Sequence, residues 1–257
     1  MVLTRALMKE ISSLADAKGR RRSGAFAAEG TKCVLDTVEA FTPRHILATE
    51  QWLAAHMLPT KCDDKIIVTG RRELGEVSSM SLTPDVIAVY ELPEPEPFRP
   101  EDLRGRLTIA LDRIQDPGNI GTIMRTADWM GITTILASVD TVDCFNPKAV
   151  QATMGAISRV KVIYGDLVDM LRRLDGIAVC GTFLDGDNIY TADLPSEAVI
   201  VMGNEGRGIG DDVAACVNRR LLIPPYPAGR PTSESLNVAT ATAIAVSQFV
   251  ARHYGKD

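Results

Sequence analysis

Short apolar runs alternate with mixed apolar and polar stretches along most of the chain. In the second half, six apolar runs of four or five residues predict strands. They lie at 107–111, 133–137, 160–164, 177–181, 198–202 and 220–223. Stretches between and after them predict helices at 120–130, 147–156, 167–174, 211–216 and 236–253. Alternating strands and helices are typical of a parallel sheet covered by helices on both faces. This half is therefore predicted to be an α/β domain.

The first ninety residues carry a more compact version of the same pattern. Apolar positions at helical spacing predict a helix over 2–17, and further helices are predicted at 31–40, 51–57 and 71–78. Short strands are predicted at 25–28, 45–48, 66–69 and 86–90. Residues 91–101 contain four prolines, which continue neither a helix nor a central strand. The chain is thus predicted to comprise a small α/β domain at 1–92, a Pro-rich linker at 93–104 and a second domain at 105–257.

Composition narrows the class of protein. The chain has 257 residues, of which 46% are hydrophobic and 24% charged, as in folded globular proteins. No apolar run approaches the ~20 residues that a membrane helix needs, and residues 1–22 lack the apolar core of a secretory signal. The five cysteines are odd in number and form no C-x-x-C pair, which indicates reduced thiols in the cytoplasm and no metal site. None of the three histidines lies between Ala110 and Ala251.

Charge is distributed unevenly along the sequence. The formal net charge of −5 speaks against a nucleic-acid partner, yet residues 1–32 contain seven Lys or Arg against three acids. Within them, Arg20, Arg21 and Arg22 follow Lys18 and Gly19 in a basic cluster. Such a cluster can neutralise phosphates, so these arginines are candidate RNA contacts. A solvated helix end explains the cluster equally well, and the sequence leaves both interpretations open.

Unusual residues follow the strands at 107–111 and 198–202. In sheets of this class, ligands bind beyond the carboxyl ends of the strands. After the first strand, Pro117 and Gly118 end the extended run, Asn119 can cap a helix, and Arg125 follows six residues later. After the other comes G-N-E-G-R-G-I-G, whose four glycines allow backbone to approach a ligand closely. Neither segment matches the dinucleotide fingerprint or the phosphate-binding loop of nucleotide-hydrolysing enzymes.

A third unusual segment leads into the final helix. Residues 224–231 contain four prolines, and Ser233 or Ser235 can cap the helix that follows. Capping explains one polar side chain, but hardly both Ser235 and Asn237.

Together these segments resemble the SpoU family of the SPOUT superfamily. The three family motifs are similar to Asn119-x-Gly121-x-x-x-Arg125, to Gly203-Asn204-Glu205-Gly206, and to Ile223-Pro224 followed by Ser235-Leu236-Asn237. The first part of the chain resembles an accessory domain, itself similar to a small ribosomal protein, on Arg21, Phe26-x-x-Glu29-Gly30 and Thr83-Pro84. The sequence departs from the family in a longer connection at 223–235.

The resemblance implies an activity and a topology. Members of the family transfer a methyl group from S-adenosylmethionine to a ribose 2′-hydroxyl of RNA. A deep trefoil knot in the parallel-sheet domain, a homodimer, a cytoplasmic location and RNA as partner are implied with it. The two-domain layout favours large-subunit ribosomal RNA over transfer RNA.

The family also implies roles for individual residues. Arg125 would stabilise the developing alkoxide. The guanidinium is already protonated at neutral pH and therefore cannot act as an ordinary proton acceptor. Asn119 would orient Arg125 or the ribose, Glu205 would hold Arg125, and Ser235 and Asn237 would complete the polar wall. The cofactor would be enclosed by residues of the strand-end loops: Thr182, Gly203, Asn204, Gly206, Ile223 and Leu236.

Three other hypotheses remain open at this point. The protein could methylate transfer RNA, or it could bind RNA without catalysis. It could also be a dinucleotide-dependent enzyme of the Rossmann type, although the required glycine pattern is missing.

Overall fold

The computed structural model describes residues 2–227 and 233–252. The chain divides into two compact units, of which the first comprises Met1–Glu94 with Asp143–Arg159 and the second Pro95–Val142 with Val160–Asp257. The backbone therefore passes from one unit to the other three times. The predicted domains, 1–92 and 105–257, did not anticipate the place of residues 143–159.

The first unit is built on a mixed four-stranded sheet. Its strands are β1 (Ala25–Glu29), β2 (Pro43–Ala48), β3 (Ile66–Val68) and β4 (Val86–Glu91), in the spatial order β1-β4-β2-β3. The pair β2–β3 is parallel, and β4 is antiparallel to both of its neighbours. The helices of this unit are α1 (Arg5–Ser13), α2 (Ala17–Ser23), α3 (Thr31–Thr37), α4 (Glu50–Ala55), α5 (Arg71–Val77) and α7 (Pro147–Thr153).

Both faces of this sheet are covered. Ile87 and Val89 of β4 point into a core with Leu47 and Leu74, as alternation along a strand requires. On the other face, the ring of Phe26 lies 4.7 Å from that of Phe145, which precedes α7. Residues 143–159 thus supply part of the core of the first unit.

The second unit is built on a six-stranded sheet in which every pair is parallel. Its strands are β5 (Leu107–Leu111), β6 (Thr134–Ser138), β7 (Lys161–Gly165), β8 (Ala178–Asn188), β9 (Ala198–Met202) and β10 (Arg219–Leu222). Their spatial order is β10-β8-β9-β5-β6-β7, so β5 and β9 are neighbours in the middle, with Leu111 opposite Met202. The flanking helices are α6 (Pro117–Trp129), α8 (Leu167–Arg172), α9 (Asp211–Ala214) and α10 (Val238–Ala251). The predicted α/β class is confirmed.

The Pro-rich segment belongs to the second unit rather than forming a free spacer. Leu103 is buried in the core of that unit, and Phe98 packs against the same core. The guanidinium of Arg173 lies 4.9 Å from the Phe98 ring centroid, and Glu96 forms an ion pair with Lys161. Among the described residues, no helix is both long and apolar enough to cross a membrane.

Most element boundaries agree with the pattern to within a few residues, with two differences. Residues 2–17 were predicted to form one helix, whereas the chain forms α1 and then a second helix, α2, across the basic cluster. Gly19 allows this turn, because a Cβ there would lie 1.8 Å from the Ser13 carbonyl oxygen. Strand β8 runs seven residues beyond its predicted end at 181, to Asn188. Residues 228–232 of the long loop and His253, the predicted end of the final helix, lie outside the described residues.

Candidate active site

Two predicted site segments follow β5 and β9, the two central strands of the parallel sheet, and the third leads into α10. The carboxyl ends of neighbouring parallel strands lie at the same edge of a sheet. Helix α6 begins there at Pro117, and the carboxylate of Asp116 caps it by accepting the Asn119 N–H at 2.9 Å. Helix α10 begins after Asn237, whose side-chain oxygen accepts the N–H groups of Ala239 and Thr240 at 3.0 and 3.2 Å.

Three predicted catalytic residues from these three segments are joined by hydrogen bonds. The Asn119 amide nitrogen donates to Glu205 Oε1 at 2.6 Å, and the Asn119 amide oxygen accepts from the Asn237 amide nitrogen at 3.0 Å. Because Asn237 Oδ1 is used in capping, its nitrogen must face Asn119. The orientation of the Asn119 amide is thereby fixed from both sides, and Glu205, half-buried, is held at one end.

Arg125 does not join this hydrogen-bonded group. It lies six residues after Asn119, which separates the two by about 120° around the axis of α6, and its side chain is exposed. No hydrogen bond or ion pair to Arg125 is found among residues 2–227 and 233–252. The predicted Glu205–Arg125 contact is therefore wrong for this structure, because the Glu205 carboxylate binds the Asn119 amide. Ser235 is likewise exposed, two residues before Asn237.

The glycine-rich loop after β9 is shaped by Asn204. Its side-chain oxygen accepts the N–H groups of Gly206 and Arg207 at 3.0 and 3.1 Å, and its backbone pairs with that of Gly208. Its amide nitrogen donates to the carbonyl of Arg113 at 2.9 Å. Asn204 therefore folds the loop and ties it to the segment after β5.

Gly203 is required by this loop for a reason that the sequence did not give. We expected glycine here to leave room for a ligand. A Cβ on Gly203 would lie 2.2 Å from the carbonyl carbon of Gly208 and from the backbone nitrogen of Ile209. Real Cβ atoms do not approach backbone so closely, so any side chain at 203 would first open the loop itself.

Sequence reasoning missed Asp112 and Arg113, which anchor the far end of the same loop. The Asp112 side chain is buried and accepts the Gly210 N–H at 2.7 Å. It also accepts two hydrogen bonds from the Arg113 guanidinium, each 3.1 Å long. Arg113 has a φ of 57°, a left-handed conformation that is uncommon outside glycine. An acid and an arginine directly after a buried strand were the available signal.

The remaining predicted cofactor residues are only partly buried. Thr182 donates its hydroxyl to the sulfur of Met202 at 3.7 Å. Ile223 is half-buried and Leu236 is 46% exposed, which gives this edge of the sheet two apolar side chains open to a ligand.

The described residues of the second unit contain no histidine. The histidines His45 and His56 both belong to the first unit, and His253 lies outside the described residues. Burial raises the pKa of the Cys180 thiol, at the end of the regular part of β8, to about 11, so this thiol stays protonated at neutral pH. In the described part of the chain, no group of acids, cysteines and histidines is placed to hold a metal ion.

The basic cluster of the first unit is divided by the structure. Arg20 is 2% exposed, and its guanidinium donates to Asp143 Oδ2 at 2.7 and 3.0 Å and to the carbonyls of Leu14 and Ala15. The prediction that Arg20 contacts RNA is therefore wrong, because its donors are used inside the unit. Arg21 and Arg22 are exposed and remain candidates.

Comparison with known proteins decides the family. Residues 106–247 match the model of the SpoU rRNA Methylase family, and residues 6–88 match that of the MRM3-like substrate binding domain. The chain belongs to the SpoU rRNA methylase family.

Relatives match over nearly the full length of this SpoU family member. The 23S rRNA (guanosine(2553)-2′-O)-methyltransferase RlmP of Bacillus subtilis is 29% identical over 93% of this chain and 94% of its own length. A solved structure from Porphyromonas gingivalis, described as an RNA methyltransferase of the TrmH family, is 40% identical with a TM-score of 0.86, covering 97% of this chain and 99% of that one. The AdoMet-bound rRNA methyltransferase from Sinorhizobium meliloti is 27% identical with a TM-score of 0.83, covering 99% and 98%.

Proposed function

We propose that this protein transfers the methyl group of S-adenosylmethionine to a ribose 2′-hydroxyl of large-subunit ribosomal RNA. The hydrogen-bonded row Glu205–Asn119–Asn237 carries the proposal, because it joins the three family motifs at one edge of the parallel sheet. The substrate follows from relatives, since the B. subtilis protein is a 23S rRNA 2′-O-methyltransferase.

The residues at this edge fit the proposed cofactor. The carboxyl ends of β8, β9 and β10 offer glycine backbone at 203 and 206 beside the partly exposed apolar side chains of Ile223 and Leu236. Such a mixture suits a ligand with an adenine ring and polar ends, because apolar groups cover the ring and backbone amides satisfy its polar atoms. Bound there, S-adenosylmethionine would supply an electrophilic methyl group.

The protein's own contribution is positioning and electrostatics. Holding the acceptor oxygen in line with the methyl group can supply roughly 7–11 kcal/mol of the barrier. Asn119, held by Glu205 and Asn237, is the side chain proposed to orient the ribose. Arg125, exposed and without a partner among the described residues, is proposed to stabilise the alkoxide as the hydroxyl loses its proton. Water or an RNA phosphate then accepts that proton, and Ser235 extends the polar wall.

A homodimer is part of the proposal, and α10 supports it. This helix has no charged residue from Val238 to Ala251 and is rich in alanine and valine. The apolar side of a helix is normally covered by a neighbour. Ile244 and Val250 are nevertheless half-exposed, and Trp129, on the neighbouring α6, is 87% exposed. A second copy of the chain would cover this apolar surface. Light scattering on Trp129→Arg, expected to be a monomer, tests this step.

One further expectation, the knot, rests on the family alone, and another, the location, also rests on the cysteines. We propose that the C-terminal part of the second unit is threaded as a deep trefoil knot. We also propose that the protein acts in the cytoplasm, where ribosomes lie and where its five free cysteines would stay reduced.

Transfer of labelled methyl groups to defined RNAs tests the proposed activity. Unmodified transcripts of large-subunit ribosomal RNA, small-subunit ribosomal RNA and transfer RNA are each incubated with labelled S-adenosylmethionine. We expect labelling of the large-subunit transcript by the wild type and a loss of about 10²-fold or more in Asn119→Ala. Thr122→Ala, one turn further along α6 and exposed, is the matched control and should keep its activity.

The same experiment separates the alternatives. Labelling of the transfer RNA transcript instead would show that transfer RNA is the substrate. Binding of RNA without labelling of any transcript would show an RNA-binding protein without catalytic activity.

A further inference from the structure

Within residues 2–94, the cations of two segments differ in their ion pairs. Between residues 23 and 94 there are six Lys and Arg residues. Each has a carboxylate within 4 Å, in the pairs Lys32–Asp36, Arg44–Glu91, Lys61–Glu39, Lys65–Asp64, Arg71–Asp85 and Arg72–Glu76. The exposed cations of α1 and α2 behave differently. Among residues 2–227 and 233–252, no carboxylate pairs with any of them.

Four of these cations form a continuous row. Arg5 and Lys9 lie one turn apart on α1, and Ser13 continues the same stripe. The Arg22 guanidinium donates to Ser13 Oγ at 3.3 Å, which brings α2 against the end of that stripe. Lys18 lies one turn before Arg22 on α2. We call Arg5, Lys9, Lys18 and Arg22 the basic row.

Apart from the Arg22–Ser13 hydrogen bond, no side-chain hydrogen bond or ion pair joins the basic row to the rest of the described residues. All four side chains are exposed, whereas Arg20 of the same helix is buried and carries the internal ion pair with Asp143. The acids on these two helices, Glu10 and Asp16, form no ion pair with the row. Unpaired like charges held side by side repel one another, and binding of an anionic partner would relieve this repulsion.

We propose that the basic row is a docking surface for the phosphate backbone of the RNA substrate. The partner must be an extended polyanion, because the cations form a line of several helical turns rather than a pocket. This inference rests on the proposed function and makes it more specific: contact with the RNA is assigned to Arg5, Lys9, Lys18 and Arg22, with Arg21 beside them, and not to Arg20.

Salt dependence of RNA binding measures the number of phosphate contacts directly. The test variant replaces all four cations of the basic row by glutamine, which keeps helix propensity and removes charge. The matched control is Arg71→Gln with Arg72→Gln, which removes two exposed but paired cations from α5 of the same unit. Binding of an unmodified large-subunit RNA transcript is followed by fluorescence anisotropy from about 50 to 200 mM salt.

We expect the slope of log K against log[salt] to fall by about 0.7–0.9 for each phosphate that is no longer neutralised, or roughly 3 in all. The control variant should keep the slope of the wild type. In methyl transfer, the test variant should raise KM for RNA while kcat at saturating RNA stays close to wild type. An unchanged slope would overturn the proposal, and so would equal effects in test and control variants.

Two further arms keep this result separate from the proposed activity. If the wild type transfers no methyl group, the proposed function fails while the salt slope still decides the docking surface. If anionic vesicles of phosphatidylserine compete with RNA for the row at equal phosphate concentration, the partner would be a membrane surface and the RNA assignment would be wrong.

Discussion

Replacing Arg20 by alanine should unfold the first unit far more readily than replacing its neighbour Arg21. Arg20 is 2% exposed, and its guanidinium makes four hydrogen bonds, two of them to Asp143. Breaking a fully buried ion pair costs about 3–5 kcal/mol. The Asp143 side chain is 39% exposed, so water can solvate the carboxylate that is left. Two carbonyls also lose their donor, and we therefore expect a loss of about 3 kcal/mol.

Tryptophan fluorescence can follow this change in one unit. The chain has two tryptophans, Trp52 in the first unit and Trp129 in the second. In a Trp129→Phe background, urea unfolding therefore reports the surroundings of Trp52 alone. Arg21→Ala should lie within about 0.5 kcal/mol of its parent, because an exposed side chain without a partner contributes little to stability.

The result that would refute this reasoning is equal stability. If Arg20→Ala and Arg21→Ala have the same urea midpoint and slope, the half-buried Arg20–Asp143 ion pair does not hold α2 to residues 143–159. If Arg20→Ala is stable and instead loses RNA affinity, the original assignment of Arg20 to RNA would be restored.

Three further predictions follow from the site and the fold. Gly203→Ala should weaken S-adenosylmethionine binding at least tenfold in calorimetry, because a Cβ would collide with the backbone at 208–209 and open the loop. Unchanged affinity would show that the loop adapts. Arg125→Lys and Arg125→Ala should bind the cofactor normally yet lose about 10²–10³ in methyl transfer, and near-normal turnover by the alanine variant would remove Arg125 from the chemistry. Burial lowers the pKa of His45, so the folded state favours the neutral imidazole. The first unit should therefore lose stability as pH falls below about 6.5, where the unfolded chain takes up the proton more readily. A His45→Gln variant that loses as much stability between pH 7.5 and 5 would contradict this.

The sequence predicted those parts of the fold that depend on local pattern. Strands β5 and β9 were placed at their observed bounds, because a buried parallel strand is a continuous apolar run between breakers. Helix α2 was missed because Gly19 and three arginines give no apolar periodicity. What holds α2 is the contact of Arg20 with Asp143, which lies 123 residues away in the chain.

The candidate site was predictable as a set of residues and not as a geometry. Each motif lies after a strand or before a helix, where pattern and turn chemistry could place it. The hydrogen-bond partners of these side chains could not be predicted. Our hypothesis paired Glu205 with Arg125, whereas Glu205 binds Asn119 in the structure. Asn119 and Arg125 lie about 120° apart around α6, and in the structure the Glu205 carboxylate binds the Asn119 side.

Mapping of ribose methylation in cells tests the central claim most directly. Ribosomal and transfer RNA are isolated from cells with the protein, without it, and with Asn119→Ala in its place, and every 2′-O-methyl site is measured. The account predicts one site in large-subunit ribosomal RNA that is methylated with the wild-type protein and unmethylated in the other two. A complete and identical set of methylated sites in all three cell lines would contradict it.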